Sequence, residues 1–234
     1  MAGRRAIAVV LAGGTGVRMG ATLPKQLLPL AGRTVLEHSI TAFDASPLID
    51  DVVVLMHPDF LAEARAVAAS FAKVRAVVAG GRTRNESTQA ALDALTGFAV
   101  ADDKVLFHDA VRPLVDAATI ERCVAALDAH DAVYVAIPTI DTIIESEGTR
   151  LVAVPDRRRL HRGQTPQGFR LVTIRDAYAT AWRDPGFEAT DDCSVVLRYA
   201  PDVPVHLLEG SPHNLKITEP VDLLIAEALL ARDR

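Results

Sequence analysis

The sequence predicts an α/β fold, a single domain built on a mostly parallel sheet with helices on both faces. Two observations carry that prediction. Short apolar runs rich in valine and alanine recur at 7–11, 51–57, 74–79, 104–108 and 132–137, with helical patterns between them. Strand and helix alternating in this way require crossover connections, and hence parallel pairing under a layer of helices. The 234 residues, 50% hydrophobic and 24% charged, suit one globular domain with a sizeable core.

The first strand feeds the loop Ala12-Gly-Gly-Thr-Gly-Val-Arg-Met-Gly20, with glycine at 13, 14, 16 and 20, followed by Pro24-Lys-Gln26. Glycine lets backbone N–H groups approach an oxyanion, and the cations Arg18 and Lys25 can neutralise what the amides do not. A triphosphate or sugar-phosphate site is expected here. The spacing fits neither of the better-known phosphate loops. Met19 stands where the dinucleotide fingerprint needs glycine or alanine, and Pro24 and Gln26 flank Lys25 where the P-loop needs glycine and serine or threonine. Taken alone, the loop fits a plain glycine-rich turn as well.

Thr34-Val-Leu-Glu37 is a capping box that opens a helix to about 45. The valine-rich strand 51–57 follows, then a helix from Pro58-Asp59 to about 71, with Leu61, Val67 and Phe71 on its buried face. Strand 74–79 ends in Gly80-Gly81, and 85–95 reads as helix. Strand 104–108 is closed by Asp109, Asp116 caps a helix through about 129, and 132–137 is the fifth strand. In such sheets ligands bind beyond the carboxyl ends of the strands. Those ends carry 13–25, 80–87 and 108–113, three polar loops bearing glycine or arginine at one edge.

The stretch 138–168 departs from the alternation. Residues 141–145 and 150–154 read as a hairpin around Glu147-Gly148, followed by the basic run Asp156-Arg-Arg-Arg-Leu-His-Arg162. This is expected to be an arm projecting from the sheet and suited to dimer contacts, with Arg158, Arg159 and Arg162 solvated. Residues 170–182 are helical, as is the stretch after Thr190-Asp191-Asp192. A strand returns at 203–208, 214–217 is a short extended piece, and Thr218 caps the last helix with Pro220 in its first turn.

The totals exclude several classes. A formal charge of −5 argues against a nucleic-acid partner. No apolar run approaches the ~20 residues that span a bilayer. Met1-Ala-Gly-Arg-Arg5 leads straight into the first strand without a separate apolar leader, so a cytoplasmic protein is expected. Cys123 and Cys193 make neither a disulfide framework nor a metal motif.

Several motifs in order carry a resemblance: Leu11-Ala-Gly-Gly-Thr-Gly-Val-Arg-Met19, Pro24-Lys-Gln26, His108-Asp-Ala-Val-Arg-Pro113, Asp141-Thr142, Gln164-Thr-Pro-Gln167 and Asn214-Leu-Lys-Ile-Thr218. The chain resembles, over nearly its whole length, the cytidylyltransferases that act on sugar-alcohol phosphates. Their two main branches make CDP-methylerythritol for isoprenoid synthesis and CDP-ribitol for wall polymers such as teichoic acid. The resemblance implies a Rossmann-like nucleotidyltransferase domain that transfers CMP from CTP to a polyol phosphate and releases pyrophosphate, with Mg²⁺. It also implies a homodimer in which the arm of one subunit completes the acceptor pocket of the other.

By the same resemblance, Arg18, Lys25 and Lys216 are the catalytic cations. Ala12, Gly13, Gly14, Thr15 and Gly16 hold the CTP phosphates, while Gly81 and Ser87 read the cytosine edge. Asp109 lies near the ribose and the metal, supported by His108. Arg112 and Arg157 bind the acceptor's phosphate, with Thr142, Thr165 and Thr190 as further contacts. Arg84-Asn85 with Ser87, Val111, Ile144 and Gly163 resemble the ribitol branch, so D-ribitol 5-phosphate is the expected acceptor, with 2-C-methyl-D-erythritol 4-phosphate as the alternative. A non-catalytic binding module would have lost one of the three cations, and all three are present. A nucleotidyltransferase for another base and sugar, such as GTP with a hexose phosphate, fits poorly with Gln164-Thr-Pro-Gln167 and Asn214-Leu-Lys-Ile-Thr218.

Overall fold

A computed structural model describes residues 4–14 and 23–232. In chain order the elements are β1 (Ala6–Ala12), the two-residue strands β2 (Pro29–Leu30) and β3 (Arg33–Thr34), α1 (Val35–Asp44), β4 (Asp51–Met56), α2 (Leu61–Ala68), β5 (Val74–Ala79), α3 (Arg84–Leu95) and β6 (Lys104–Asp109). There follow α4 (Ala117–Ala126), β7 (Ala132–Pro138), β8 (Glu145–Glu147), β9 (Arg150–Ala153), β10 (His161–Arg170), α5 (Leu171–Ala181), α6 (Asp192–Tyr199), β11 (Val205–Glu209) and α7 (Pro220–Arg232).

Helix starts follow local chemistry. Thr34 accepts from the Glu37 N–H while the Glu37 carboxylate accepts from the Thr34 N–H, which is the capping box expected from the sequence. A second box, Thr83 with Glu86, opens α3 and makes Arg84 its first residue. Asp116 and Asp191 cap α4 and α6 through their carboxylates.

Among the described residues, seven strands form one sheet in the order β11-β7-β10-β6-β1-β4-β5. Every neighbouring pair is parallel except the two made by β10. Side chains alternate across β1 as strand geometry requires. Ala6, Ala8 and Val10 join Leu36, Ile40 and Phe43 of α1 and Ile120 and Cys123 of α4 on one face. Ile7 and Val9 join Leu92 and Leu95 of α3, Ile174 of α5 and Val196 of α6 on the other. Helices therefore cover both faces, as predicted.

β10 corrects the bounds of the arm. The projecting hairpin is β8 and β9, whereas His161–Arg170 enters the sheet antiparallel between β6 and β7, with 164–170 buried. Two glycines, a proline and no alternation hide this strand from pattern reading. Its register slips between Gly163 and Gln167, and that bulge accommodates Pro166, which lacks an N–H for the ladder. The bulge lies at the carboxyl edge of β6, where the polar loops meet.

Candidate active site

β1 ends in Ala12, and Gln26 ties down the loop that follows. Its buried side chain donates from Nε2 to the Ala12 carbonyl and, at 2.7 Å, to the Gly14 carbonyl. Across the edge, the Ser87 hydroxyl donates to Thr83 O at 2.9 Å and accepts the Gly81 N–H at 3.1 Å. Gly81 has to be glycine, because a Cβ there would overlap Glu86 Cβ and sit 2.8 Å from that residue's carbonyl carbon. A Cβ on Gly13 would lie 3.2 Å from Ser87 Oγ, so the two loops face each other closely.

Asp109, at the end of β6 and 7% exposed, is the charged centre. Lys216 Nζ lies 2.7 Å from its Oδ2, Arg84 Nη1 2.8 Å from its Oδ1, and Arg112 Nε 3.9 Å from its Oδ2. Burial by itself would raise the carboxyl's pKa. The Arg84 guanidinium and the Lys216 ammonium more than offset this and hold it well below the usual carboxylate range. Arg84 also reaches Asp192, and although burial disfavours its cation, the two carboxylates raise its pKa above the ordinary value. Asp192 is fully buried and accepts hydroxyls from Thr88 and Tyr178 as well.

A relay of hydrogen bonds fixes the backbone of Asp109. The Asp109 N–H donates to Thr165 Oγ1 at 3.1 Å, and Thr165 Oγ1 stands 3.0 Å from His108 Nδ1. His108 Nε2 faces the Arg112 carbonyl at 3.0 Å. A carbonyl can only accept, so Nε2 carries the proton and Nδ1 accepts the threonine hydroxyl. Burial pushes His108 down to about 4, so the ring is neutral. This is the supporting role expected of it. Arg112 in turn donates to Asn214 O at 2.7 Å, and Asn214 donates to Thr165 O at 2.8 Å.

These groups line two adjoining hollows. One, of about 310 Å³, holds Gly13, Gly14, Lys25, Gly81, Ser87, Asp109, Thr190 and Lys216. The other, of about 170 Å³, shares Arg84, Asp109, Thr190 and Lys216 with it and adds Arg112, Tyr134, Gly163, Thr165 and Asp191 among others. Lys25 donates to the Ile217 carbonyl at 2.9 Å, which brings it to the same wall as Lys216. A phosphate-bearing ligand in the larger hollow and an anion in the smaller would meet across Asp109 and Lys216.

The structure thus gathers Gly13, Gly14, Lys25, Gly81, Ser87, Asp109 and Lys216, with Ala12 just behind, and places Arg112, Thr165 and Thr190 beside them. It does not bring Thr142 and Arg157 to the cleft of the same chain. Both are exposed on the arm, where Arg157 contacts the Ile140 carbonyl at 3.5 Å. Thr15, Gly16 and Arg18 lie outside the described residues. Among the described residues no group of three or more His, Cys, Asp or Glu could hold a metal ion by itself. Asp109 with substrate phosphates is a donor set that suits Mg²⁺, which usually combines one or two carboxylates with phosphate oxygens and water.

Sequence reasoning missed Arg84 and Asp192 as parts of the site, and gave Gln26 no role. Arg84 had a signal, since Thr83-x-x-Glu86 places it at a helix start beside Gly80-Gly81. Asp192 had none, because its burial arises from α3, α5 and β10 meeting around it. Two positions that resemble the ribitol branch line the larger hollow while also serving the framework. Arg84 pairs with two carboxylates, and Val111, 7% exposed, packs with Leu30, Val35 and Ile217.

A family model described as IspD: 2-C-methyl-D-erythritol 4-phosphate cytidylyltransferase matches residues 6–232. The 2-C-methyl-D-erythritol 4-phosphate cytidylyltransferase of Thermobifida fusca is 51% identical, covering 97% of this chain and 93% of that one. The bifunctional ribulose 5-phosphate reductase/CDP-ribitol pyrophosphorylase Bcs1 of Haemophilus influenzae is 39% identical, over 95% of this chain and 48% of that one. Among solved structures, the 4-diphosphocytidyl-2C-methyl-D-erythritol synthase of Anaerococcus prevotii aligns with a TM-score of 0.85 at 26% identity, over 97% and 99% of the two chains. The Thermus thermophilus cytidylyltransferase aligns at 0.74 with 32% identity, over 95% and 98%. The fold, the polar edge and these similarities agree: the chain is a CTP-dependent nucleotidyltransferase and belongs to the 2-C-methyl-D-erythritol 4-phosphate cytidylyltransferase family.

Proposed function

We propose that this enzyme transfers CMP from CTP to 2-C-methyl-D-erythritol 4-phosphate. The observation that carries the acceptor assignment is the likeness to the Thermobifida relative, 51% identical across 97% of the chain. It replaces the expectation of D-ribitol 5-phosphate, whose supporting relative is less similar and is matched over 48% of its length. D-ribitol 5-phosphate is the second reading, favoured by that same relative.

The acceptor's phosphate monoester has a second pKa of about 6, so an oxygen is largely ionised at neutral pH and needs no general base. It attacks the α-phosphorus of CTP in line. One P–O bond forms, the bond to the bridging oxygen breaks, and pyrophosphate leaves with the electron pair. The chain's task is to align two anions and neutralise charge on the equatorial oxygens. Lys25 and Lys216, with Arg18, serve the α-phosphate. Gly13 and Gly14, with Thr15 and Gly16, hold the triphosphate, while Gly81 and Ser87 take the cytosine. Arg112 and Thr165, with Thr190, receive the acceptor. Asp109 would hold Mg²⁺, which supplies further neutralisation of phosphate charge.

Thr142 and Arg157 act on the cleft of a second copy in a homodimer. The arm exposes Ile140, Ile143, Ile144, Leu151, Val152 and Val154, an apolar surface that a partner would cover. Pyrophosphate release with CTP, Mg²⁺ and each polyol phosphate separately tests the reading. Turnover of D-ribitol 5-phosphate alone would overturn the acceptor assignment.

A further inference from the structure

The smaller hollow has one wall that none of the roles above uses. Tyr134, on β7, reaches it with its hydroxyl and donates to Asp191 Oδ2 at 2.6 Å. Asp191 is itself fixed, because its Oδ1 accepts the Ser194 N–H at 2.7 Å as the cap of α6. Burial, with the Asp191 carboxylate beside it, pushes the phenol pKa well up, so the hydroxyl keeps its proton at neutral pH. That proton is committed to Asp191 and the Gln167 side chain also hydrogen-bonds the phenol, so the oxygen has one lone pair left to offer the hollow.

Gly163 occupies the ground beneath this hydroxyl. A Cβ at 163 would overlap Tyr134 Oη and lie 2.7 Å from its Cζ. The same glycine's carbonyl accepts from Arg112 Nη2 at 3.3 Å, so its backbone belongs to the acceptor end of the cleft. The two residues stand at the rim of the β10 bulge, where the register slips between Gly163 and Gln167, the residue paired with Tyr134.

We propose that Tyr134 contacts the polyol portion of the acceptor, accepting a hydrogen bond from one of its hydroxyls, and that Gly163 is the residue that makes room for it. The pair thereby helps to determine which polyol phosphate is accepted. A hydroxyl-rich substrate that also carries a phosphate suits this hollow, whose walls include Arg112, Thr165 and Asp191 beside the charged Arg84, Asp109 and Lys216.

The inference rests on the acceptor reading above, and the experiment separates the two. Steady-state KM values for CTP and for 2-C-methyl-D-erythritol 4-phosphate are measured for wild type, Y134F, Y134A, G163A and Y134A/G163A, with thermal midpoints as a check on folding. Loss of one neutral hydrogen bond in Y134F is expected to raise the acceptor KM about two- to tenfold and leave the CTP KM unchanged. The preference between 2-C-methyl-D-erythritol 4-phosphate and D-ribitol 5-phosphate should shift with it. G163A is expected to raise the acceptor KM alone, and to add nothing further in the Y134A background, because the overlap is then gone. An unchanged acceptor KM in Y134F overturns the inference, as does an equal rise in both KM values with a lowered midpoint, which marks a structural role. If G163A fails to fold, Y134F decides. If wild type turns over only D-ribitol 5-phosphate, the acceptor reading falls and the same comparison is made with that substrate's KM.

Discussion

Arg84 reaches Asp192, 108 positions later in the chain, through an Nη2–Oδ2 contact of 2.7 Å. The same guanidinium holds Asp109 at 2.8 Å through its other terminal nitrogen. A helix start beside the glycine pair is thereby locked both to the charged centre of the cleft and to the base of α6.

Replacing Arg84 by alanine leaves Asp192 buried without its cation. Removing one partner of a buried pair costs about 3–5 kcal/mol. Urea unfolding is expected to show a loss of that order, and R84K a smaller but clear one, since lysine cannot fork between two carboxylates. A loss below about 1 kcal/mol for R84A, the range of an exposed pair, would contradict the buried-bridge account.

His108 makes stability depend on pH. Its pKa is about 4 in the fold against an ordinary 6.5, so between these values the unfolded chain binds a proton that the folded chain refuses. The contribution is complete above about 6.5 and disappears as pH falls toward 4, on the order of 3 kcal/mol in total. Asp109, whose pKa is depressed, acts in the same direction at lower pH: its stabilisation is present above the ordinary value of 3.8 and is lost below it. Unfolding free energies from pH 7 to 4.5 should fall less steeply for His108→Asn than for wild type. Parallel slopes would count against a neutral His108.

Lys216 is partly exposed, with 43% of its side chain accessible, so K216A is expected to change the thermal midpoint little. Turnover should nevertheless fall on the order of a hundredfold or more, as when one charge-stabilising group of a reaction centre is removed. K25A is expected to behave similarly in pyrophosphate release. Near-normal kcat in either variant would refute the charge-neutralising roles.

Arg157 lies on the arm, away from its own chain's cleft. R157A is expected to raise the KM for the acceptor and to leave that for CTP nearly unchanged. Mixing R157A with K216A should restore activity, because an intact cleft then meets an intact arm from its partner. Absence of restoration, with mixed dimers demonstrated by sedimentation or native mass spectrometry, would mean that arms are not exchanged.

Gly81→Ala forces a Cβ into Glu86, which closes the capping box of α3. A cost of about 1–3 kcal/mol is expected from the overlap. The CTP KM should rise as well, because Ser87 shifts with the helix. An unchanged CTP KM would remove Gly81 and Ser87 from the base site.

Local chemistry determined much of this protein by itself. Alternating runs and glycine-marked strand ends specify a parallel sheet and put the polar loops at one edge. The Thr34 box and the Asp116 cap depend on neighbours three residues away, so they are legible in one dimension. Glycine loops and cations likewise announced phosphate chemistry. Tertiary structure alone decided what depends on groups far apart in sequence. β10, with its glycines and proline, is a strand because β6 and β7 satisfy its backbone from both sides. Asp192 is a buried hub because three elements converge on it, and Tyr134 enters the smaller hollow only because residue 163, across a bulge, has no side chain. Thr142 and Arg157 show the reverse: their motif is plain in the sequence, yet the fold of one chain holds them away from the cleft.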